Sequence, residues 1–228
     1  MTSRLSKANI DWRVQMDKSP AALKDWALSH LRWYRQSAFR LWTDSGKTIF
    51  LDPWRVPAQE GPADLILVTH PHQDHLDRRA IAGLRAESTT LVAPRSCAEP
   101  GWQSIAAGET LRIGDAAVTG VPAYNLRGRL HPRSGEWVGY LVDVDGVRVY
   151  HAGDTDFIPE MKGLRPDIAL LPVGGLMVMD GADAARAAAV LEAVVCIPMH
   201  FGMLLGGRRA GERFVRRLGE RGLVLPRT

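Results

Sequence analysis

The 228-residue chain is predicted to be an α/β protein in which two β-sheets pack together under a cover of helices. Three observations point there. Near-continuous apolar runs at 65–69, 89–93, 168–171 and 194–198 read as strands buried on both faces. Alternating stretches around Thr43-Asp44-Ser45-Gly46, Gly114-Asp115 and Asp145-Gly146 read as half-buried antiparallel hairpins. Helical spacing at 78–86 and 182–191 supplies the helices between strands of both kinds.

Taken in order, the first element is a helix at about 19–32. Ser19 is its N-cap, Pro20 its first helical position, and Leu23, Trp26, Ala27, His30 and Leu31 share one face. It stands as an N-terminal extension of a single domain spanning residues 1–228. The hairpins then run 39–42 into 47–51, 110–113 into 116–119, and 139–144 into 147–150. A last helix over 210–218 carries Arg213, Arg216 and Arg217, with Arg221 just beyond. A solvated helix face is the ordinary meaning of that cluster, and an RNA-facing or phosphate-facing patch is the alternative.

Composition narrows the class. A 46% hydrophobic and 24% charged chain of mean hydropathy −0.12 is that of an ordinary soluble protein, and no apolar run approaches the ~20 residues of a membrane span. The opening residues lack the apolar stretch of a secretion signal, so a cytoplasmic location is expected. Cys97 and Cys196 read as buried free thiols in a reducing compartment. A net charge of +4 and a pI near 9.3 accommodate an anionic substrate without requiring nucleic acid.

The chemistry concentrates where the run 65–69 ends. Pro71 cannot donate to a sheet ladder, so the chain leaves the sheet and presents His70, His72, Asp74 and His75 on one turn. Imidazoles and carboxylates crowded beside a core need something to satisfy them, and this donor set suits zinc, manganese or iron. Neither a Gly-x-Ser-x-Gly elbow, a Cys-x-x-Cys pair nor a His-Glu-x-x-His helix occurs, so serine-hydrolase, thioredoxin-like and zincin chemistry have no support.

The His70-Pro71-His72-Gln73-Asp74-His75 run resembles the defining motif of the metallo-β-lactamase superfamily. Segments 33–40, 50–54, 150–155 and 197–202 are similar to its other landmarks in the same order, over about residues 31–205. The likeness is greatest to small stand-alone metal-dependent hydrolases, including the ascorbate-phosphate lactonase and phospholipase-D-like branches. It implies a four-layer αββα sandwich of two mixed β-sheets flanked by helices. It also implies two divalent metal ions, zinc foremost, with manganese and iron as alternatives. By that resemblance His70 and His72 hold the first metal, Asp74, His75 and His200 the second, and Asp154 bridges them. The family usually places a further histidine directly after the strand at 118–123, where this chain has Tyr124 and Asn125. His131, six residues beyond Asn125, is the candidate that loops back, a surface histidine being the alternative. Asp52 and His151 are candidates for orienting metal-bound side chains. Gln36 stands where many relatives carry a histidine.

The function expected is a metal-dependent hydrolase in which a metal-bridging hydroxide cleaves a small ester, lactone or phosphodiester. Water on such a metal drops from a pKa of 15.7 to about 7, and Asp74 beside it passes a proton to the leaving group. Tyr124, Asn125 and Arg129 lie in the loop that meets a small-molecule substrate, anionic ones included, and a homo-oligomer is compatible. Two other classes stay open. One is a nucleic-acid processing or binding protein using the C-terminal arginines; the other is a non-catalytic metal-binding protein.

Overall fold

Each of two six-stranded sheets is mixed, with antiparallel pairings at one end and parallel ones at the other. The computed structural model describes residues 16–127, 130–202, 206–207 and 209–228. Helix α1 (Pro20–His30) starts where Ser19 Oγ accepts the Ala22 N–H at 3.3 Å and buries Leu23, Trp26 and Ala27. It passes without a loop into β1 (Leu31–Arg35), which pairs antiparallel with β2 (Ala38–Trp42), itself antiparallel to β3 (Thr48–Leu51). Three parallel strands complete the sheet: β4 (Ala63–Leu67), β5 (Arg85–Pro94) and β6 (Gln103–Ile105). Helix α2 (Arg78–Leu84) is the crossover from β4 to β5, and Asp77 caps it by accepting the Arg79 and Ala80 N–H groups at 3.1 Å.

The second sheet repeats the scheme. Strands β7 (Thr110–Ile113), β8 (Ala116–Pro122), β9 (Val138–Val144) and β10 (Val147–His151) are antiparallel neighbours, and β11 (Ile168–Pro172) and β12 (Val195–Met199) add in parallel. Helix α3 (Gly181–Val190) joins β11 to β12, and α4 (Ala210–Leu218) follows. Pro198 lies in β12, an edge strand, where its missing N–H leaves no ladder bond unmade. Among the described residues no helix is long and apolar enough to cross a membrane.

The unbroken apolar reading of β4 follows from its burial on two sides. Leu65 and Leu67 join Ile49, Leu51 and Val92 in the core shared with Val118, Tyr140, Val142 and Ile168 of the second sheet. Ile66 and Val68 face the other way and pack with Phe50, Leu91 and Ala93 against Ile81 and Leu84 of α2. Each such side chain contributes about 1.5–3 kcal/mol by burial. Tyr140 crosses the layers and donates its hydroxyl to the Val68 carbonyl at 2.7 Å, so a buried polar group is satisfied at the point where β4 hands over to the histidines.

The structure departs from the sequence reading in several elements. The first helix, expected over about 19–32 with no strand at 31–35, ends at His30 because Leu31 takes an extended conformation, and β6 is a strand the sequence does not announce. The second helix stops at Leu84 rather than 86, and β5 begins at once. The ladder of β4 ends at Leu67, although Val68 still donates to the Val92 carbonyl at 2.9 Å, so two residues of extended chain separate the strand from His70.

Candidate metal centre

Every histidine and carboxylate singled out in the sequence, His151 excepted, leaves the end of a strand on the same rim of the sandwich. Asp52 follows β3, the His70–His75 turn follows β4, His131 lies in the loop after β8, Asp154 follows β10 and His200 follows β12. Asp52 and His200 exit in left-handed conformations, with φ of 45° and 55°, which turns each chain sharply off its sheet. His131 is brought back by its own loop: Asn125 N–H donates to the His131 carbonyl at 2.7 Å. That loop docks on the one carrying Asp154, since Tyr124 N–H donates to Thr155 Oγ1 at 3.2 Å and Asp156 N–H to the Tyr124 carbonyl at 3.0 Å.

Three groups of donors result: His70, His72 and His131; His70, His75 and Asp154; and Asp74, His75 and His200, the donor atoms of each lying within 4.8 Å of one another. His70 Nε2 faces His72 Nδ1 at 3.1 Å. Asp154 stands between the flanking groups, with Oδ1 3.3 Å from His75 Nε2 and Oδ2 3.4 Å from His131 Nε2 and 3.1 Å from His200 Nε2. Asp74 Oδ2 lies 3.6 Å from His200 Nε2. Among the described residues, His75 Nε2, His131 Nε2, His200 Nε2 and Asp154 Oδ1 are buried with no hydrogen-bond partner. Leaving buried polar atoms unpaired costs about 1–3 kcal/mol each, and four that converge fit a bound cation.

The hydrogen-bond network assigns the tautomers. Asp52 Oδ2 accepts His75 Nδ1–H at 2.6 Å, and both oxygens of Asp52 hold Thr69, through its N–H at 2.8 Å and its hydroxyl at 2.7 Å. With its own proton given to Asp52, Thr69 Oγ1 accepts His70 Nδ1–H at 2.9 Å. Asn125 Oδ1 accepts His131 Nδ1–H at 3.0 Å. In each case the Nε2 lone pair is left pointing inward, as a metal-binding imidazole requires.

Charge follows the same plan. Burial alone would raise the Asp154 carboxyl, but the facing His200 and His75 imidazoles outweigh it and hold the group well below the carboxylate range. Burial pushes His70 well below its ordinary value, with His75 adding to the effect. Burial also disfavours a charged His200, yet Asp154 and Asp74 lift it to about 9. The pocket therefore draws positive charge to its Asp154 side while keeping His70 a neutral donor.

Residues 30–200 match the model of the beta-lactamase superfamily domain. The chain belongs to the beta-lactamase superfamily. A UPF0173 metal-dependent hydrolase of Koribacter versatilis is 34% identical over 211 residues, covering 81% of this chain and 91% of that protein. A Parabacteroides distasonis crystal structure assigned as a metal-dependent hydrolase is 31% identical, with a TM-score of 0.77 over 87% of this chain and 93% of the other. A Thermotoga maritima structure of the metallo-β-lactamase superfamily, 20% identical, shares the fold, with a TM-score of 0.56 over 82% and 84% of the two chains. The two mixed sheets with flanking helices are thus the metallo-β-lactamase fold expected from the sequence.

Within this superfamily member, several residues stand elsewhere than expected or were not foreseen. His151 joins none of the donor groups: its Nε2–H donates to the Ser37 carbonyl at 2.8 Å and its Nδ1 accepts the Gly153 N–H at 3.3 Å, which steadies the turn before Asp154. Asn125, read as a substrate contact, has its amide occupied inside the protein by His131, Asp156 and the Met177 carbonyl. The Tyr124 hydroxyl is likewise held, by Glu160 at 3.0 Å. Arg129 lies outside the described residues. Arg221 turns inward to the Ala188 and Ala193 carbonyls at 2.8 Å and so leaves the arginine face of α4. Thr69 was missed, although a hydroxyl directly before His70 was a usable signal. Trp137 was missed too; its ring lies 5.1 Å from those of both His70 and His72 and 5.6 Å from that of His131, and nothing in its sequence context announces it.

Proposed function

We propose that this chain is a metal-dependent hydrolase of a small ester, lactone or phosphodiester. The observation that carries the reading is the convergence of buried, unpartnered donor atoms on Asp154 from both sides. In it His70, His72 and His131 would hold one divalent ion and Asp74, His75 and His200 a second, with Asp154 a donor beside both sets. Ions held there would supply water acidified to near-neutral pKa and a Lewis acid for the oxygen of the attacked bond.

The chain's own residues then have distinct tasks. Asp52, Thr69 and Asn125 fix the three imidazoles His75, His70 and His131 so that no reorganisation is needed when substrate arrives. Trp137 packs beside the first histidine group and keeps solvent from that side. Asp154 is buried, whereas Asp74 is part-exposed; Asp74 is therefore the carboxylate able to exchange a proton with solvent and, through the oxygen that does not face His75 and His200, pass it to the leaving oxygen.

The test is metal analysis of protein purified without chelator, together with turnover of bis(p-nitrophenyl) phosphate and a simple lactone by wild type and His72→Ala. Bound metal, turnover of one substrate class and loss of that turnover in His72→Ala are expected. A folded wild type that takes up no zinc, manganese or iron would overturn the proposal.

A further inference from the structure

The β1–β2 turn, Gln36-Ser37, is buried completely. Tight turns normally lie at the surface, where water satisfies their polar groups. Here the protein satisfies the backbone instead. The Gln36 carbonyl accepts His200 N–H at 3.0 Å and Trp33 Nε1–H at 2.9 Å, and the Ser37 carbonyl accepts His151 Nε2–H at 2.8 Å. The turn is thereby wedged between the strand ends that carry Asp154 and His200. Gln36 is held there at a φ of 44°, a left-handed conformation that glycine or asparagine adopts more readily.

Its side chain is the unexplained part. Both Oε1 and Nε2 of Gln36 are buried without a partner, and so is Nδ1 of His200. His200 is the exception among the imidazoles whose Nε2 faces the centre: His70 is held at Nδ1 by Thr69, His75 by Asp52 and His131 by Asn125. A metal-binding imidazole donates its remote N–H to an acceptor that fixes tautomer and ring angle. The backbone bond makes Gln36 the immediate neighbour of His200, and its unused amide oxygen is, like His200 Nδ1, buried.

We propose that Gln36 is the positioning residue of His200, its side-chain oxygen taking the Nδ1 proton across one water. The amide thus does for His200 what Asn125 does for His131. The inference rests on His200 being a ligand, as in the proposed function.

Three variants separate the possibilities: Gln36→Met, which keeps size and removes polarity; Gln36→Glu, which keeps an acceptor; and His200→Ala. Each is assayed for zinc affinity by competition with a chromophoric chelator and for unfolding of the metal-free protein. Gln36→Met is expected to weaken zinc binding by about 10–100-fold with little change in metal-free unfolding, and Gln36→Glu to restore most of it. Wild-type affinity in Gln36→Met, or equal losses in both Gln36 variants, would overturn the inference. If His200→Ala also binds zinc as wild type does, the reading of the whole centre fails; if only His200→Ala is impaired, the role of Gln36 alone fails. Should Gln36→Met not fold, histidine side-chain NMR of the zinc-loaded wild type decides. A protected His200 Nδ1 proton whose resonance moves in Gln36→Glu supports the assignment, and a freely exchanging one refutes it.

Discussion

Asp52 ties a backbone and two imidazoles together with one carboxylate. Its left-handed φ aims the side chain across the sheet end to Thr69 and His75, and Thr69 passes the constraint on to His70. Replacing it by asparagine exchanges a charged acceptor for a neutral one and sets an NH2 group against a donor. Asp52→Asn is therefore expected to weaken metal binding by about 10–100-fold, measured by chelator competition; an unchanged affinity would remove Asp52 from this role. The two cysteines give a second check at this scale. Both are unpaired and buried, and burial pushes each thiol up to about 12. In mildly alkaline buffer the native protein should resist alkylation that the unfolded chain undergoes rapidly, as read by intact mass. Rapid labelling of the native protein would contradict the burial described. The ligand candidates were legible because His70, His72, Asp74 and His75 crowd six residues. Of their supports Asp52 was legible at its strand end, whereas the roles of a threonine, an amide and an indole are set by contacts that spacing does not report.

Elements place the residues, and two contacts between elements can be tested. Glu60, in the connection from β3 to β4, accepts from Arg40 at 2.9 Å, Arg32 at 3.1 Å and the Tyr34 hydroxyl at 2.8 Å, pinning β1 and β2 to that connection. Burial works against the Glu60 charge, but the Tyr34 hydrogen bond and the two guanidinium groups outweigh it and hold its carboxyl below the ordinary 4.5. A carboxyl lowered in the folded state stabilises fully above its unfolded value and loses that contribution as pH falls through its folded one. Glu60→Gln should cost about 1–3 kcal/mol at neutral pH, with the gap to wild type closing below pH 4.5 in urea titrations; a gap independent of pH would refute the account. Gly139 in β9 offers the other contact. A Cβ there would meet the His151 carbonyl at 2.6 Å and the Ala152 carbonyl at 2.7 Å, backbone atoms directly before the Asp154 turn. Gly139→Ala should lose about 1–3 kcal/mol and retain less metal, whereas wild-type stability would show that the turn yields freely. Strands such as β4 and β11 were legible because burial on both faces leaves an uninterrupted apolar run. β1 was not, since Leu31 and Trp33 continue a pattern that a helix also satisfies, and β6 is only three residues long.

For the whole molecule, a ligand that binds only the folded state stabilises it. At one hundred times its dissociation constant, metal should add about 2.7 kcal/mol, which for a chain of this size raises Tm by roughly 5–10 °C. Differential scanning fluorimetry with zinc, manganese or iron, and reversal by chelator, measures this; no shift with any of them would count against the centre. The class of fold was readable from strands of two kinds separated by helices. Strand neighbours were readable only within the three hairpins; the remaining order was not, because periodicity reports burial and says nothing about neighbours. That His131 loops back was an expectation of the resemblance, but how the loop closes, between the Asn125 and His131 main chains, has no signature in the spacing. The division of the donors between the layers has a further consequence. His70, His72, Asp74 and His75 hang from the first sheet, while His131, Asp154 and His200 hang from the second. An ion held by both would act as a rivet through the sandwich, its donors spread apart by any shear of one layer over the other. Occupancy of the centre is then a gauge of how squarely the two layers are seated.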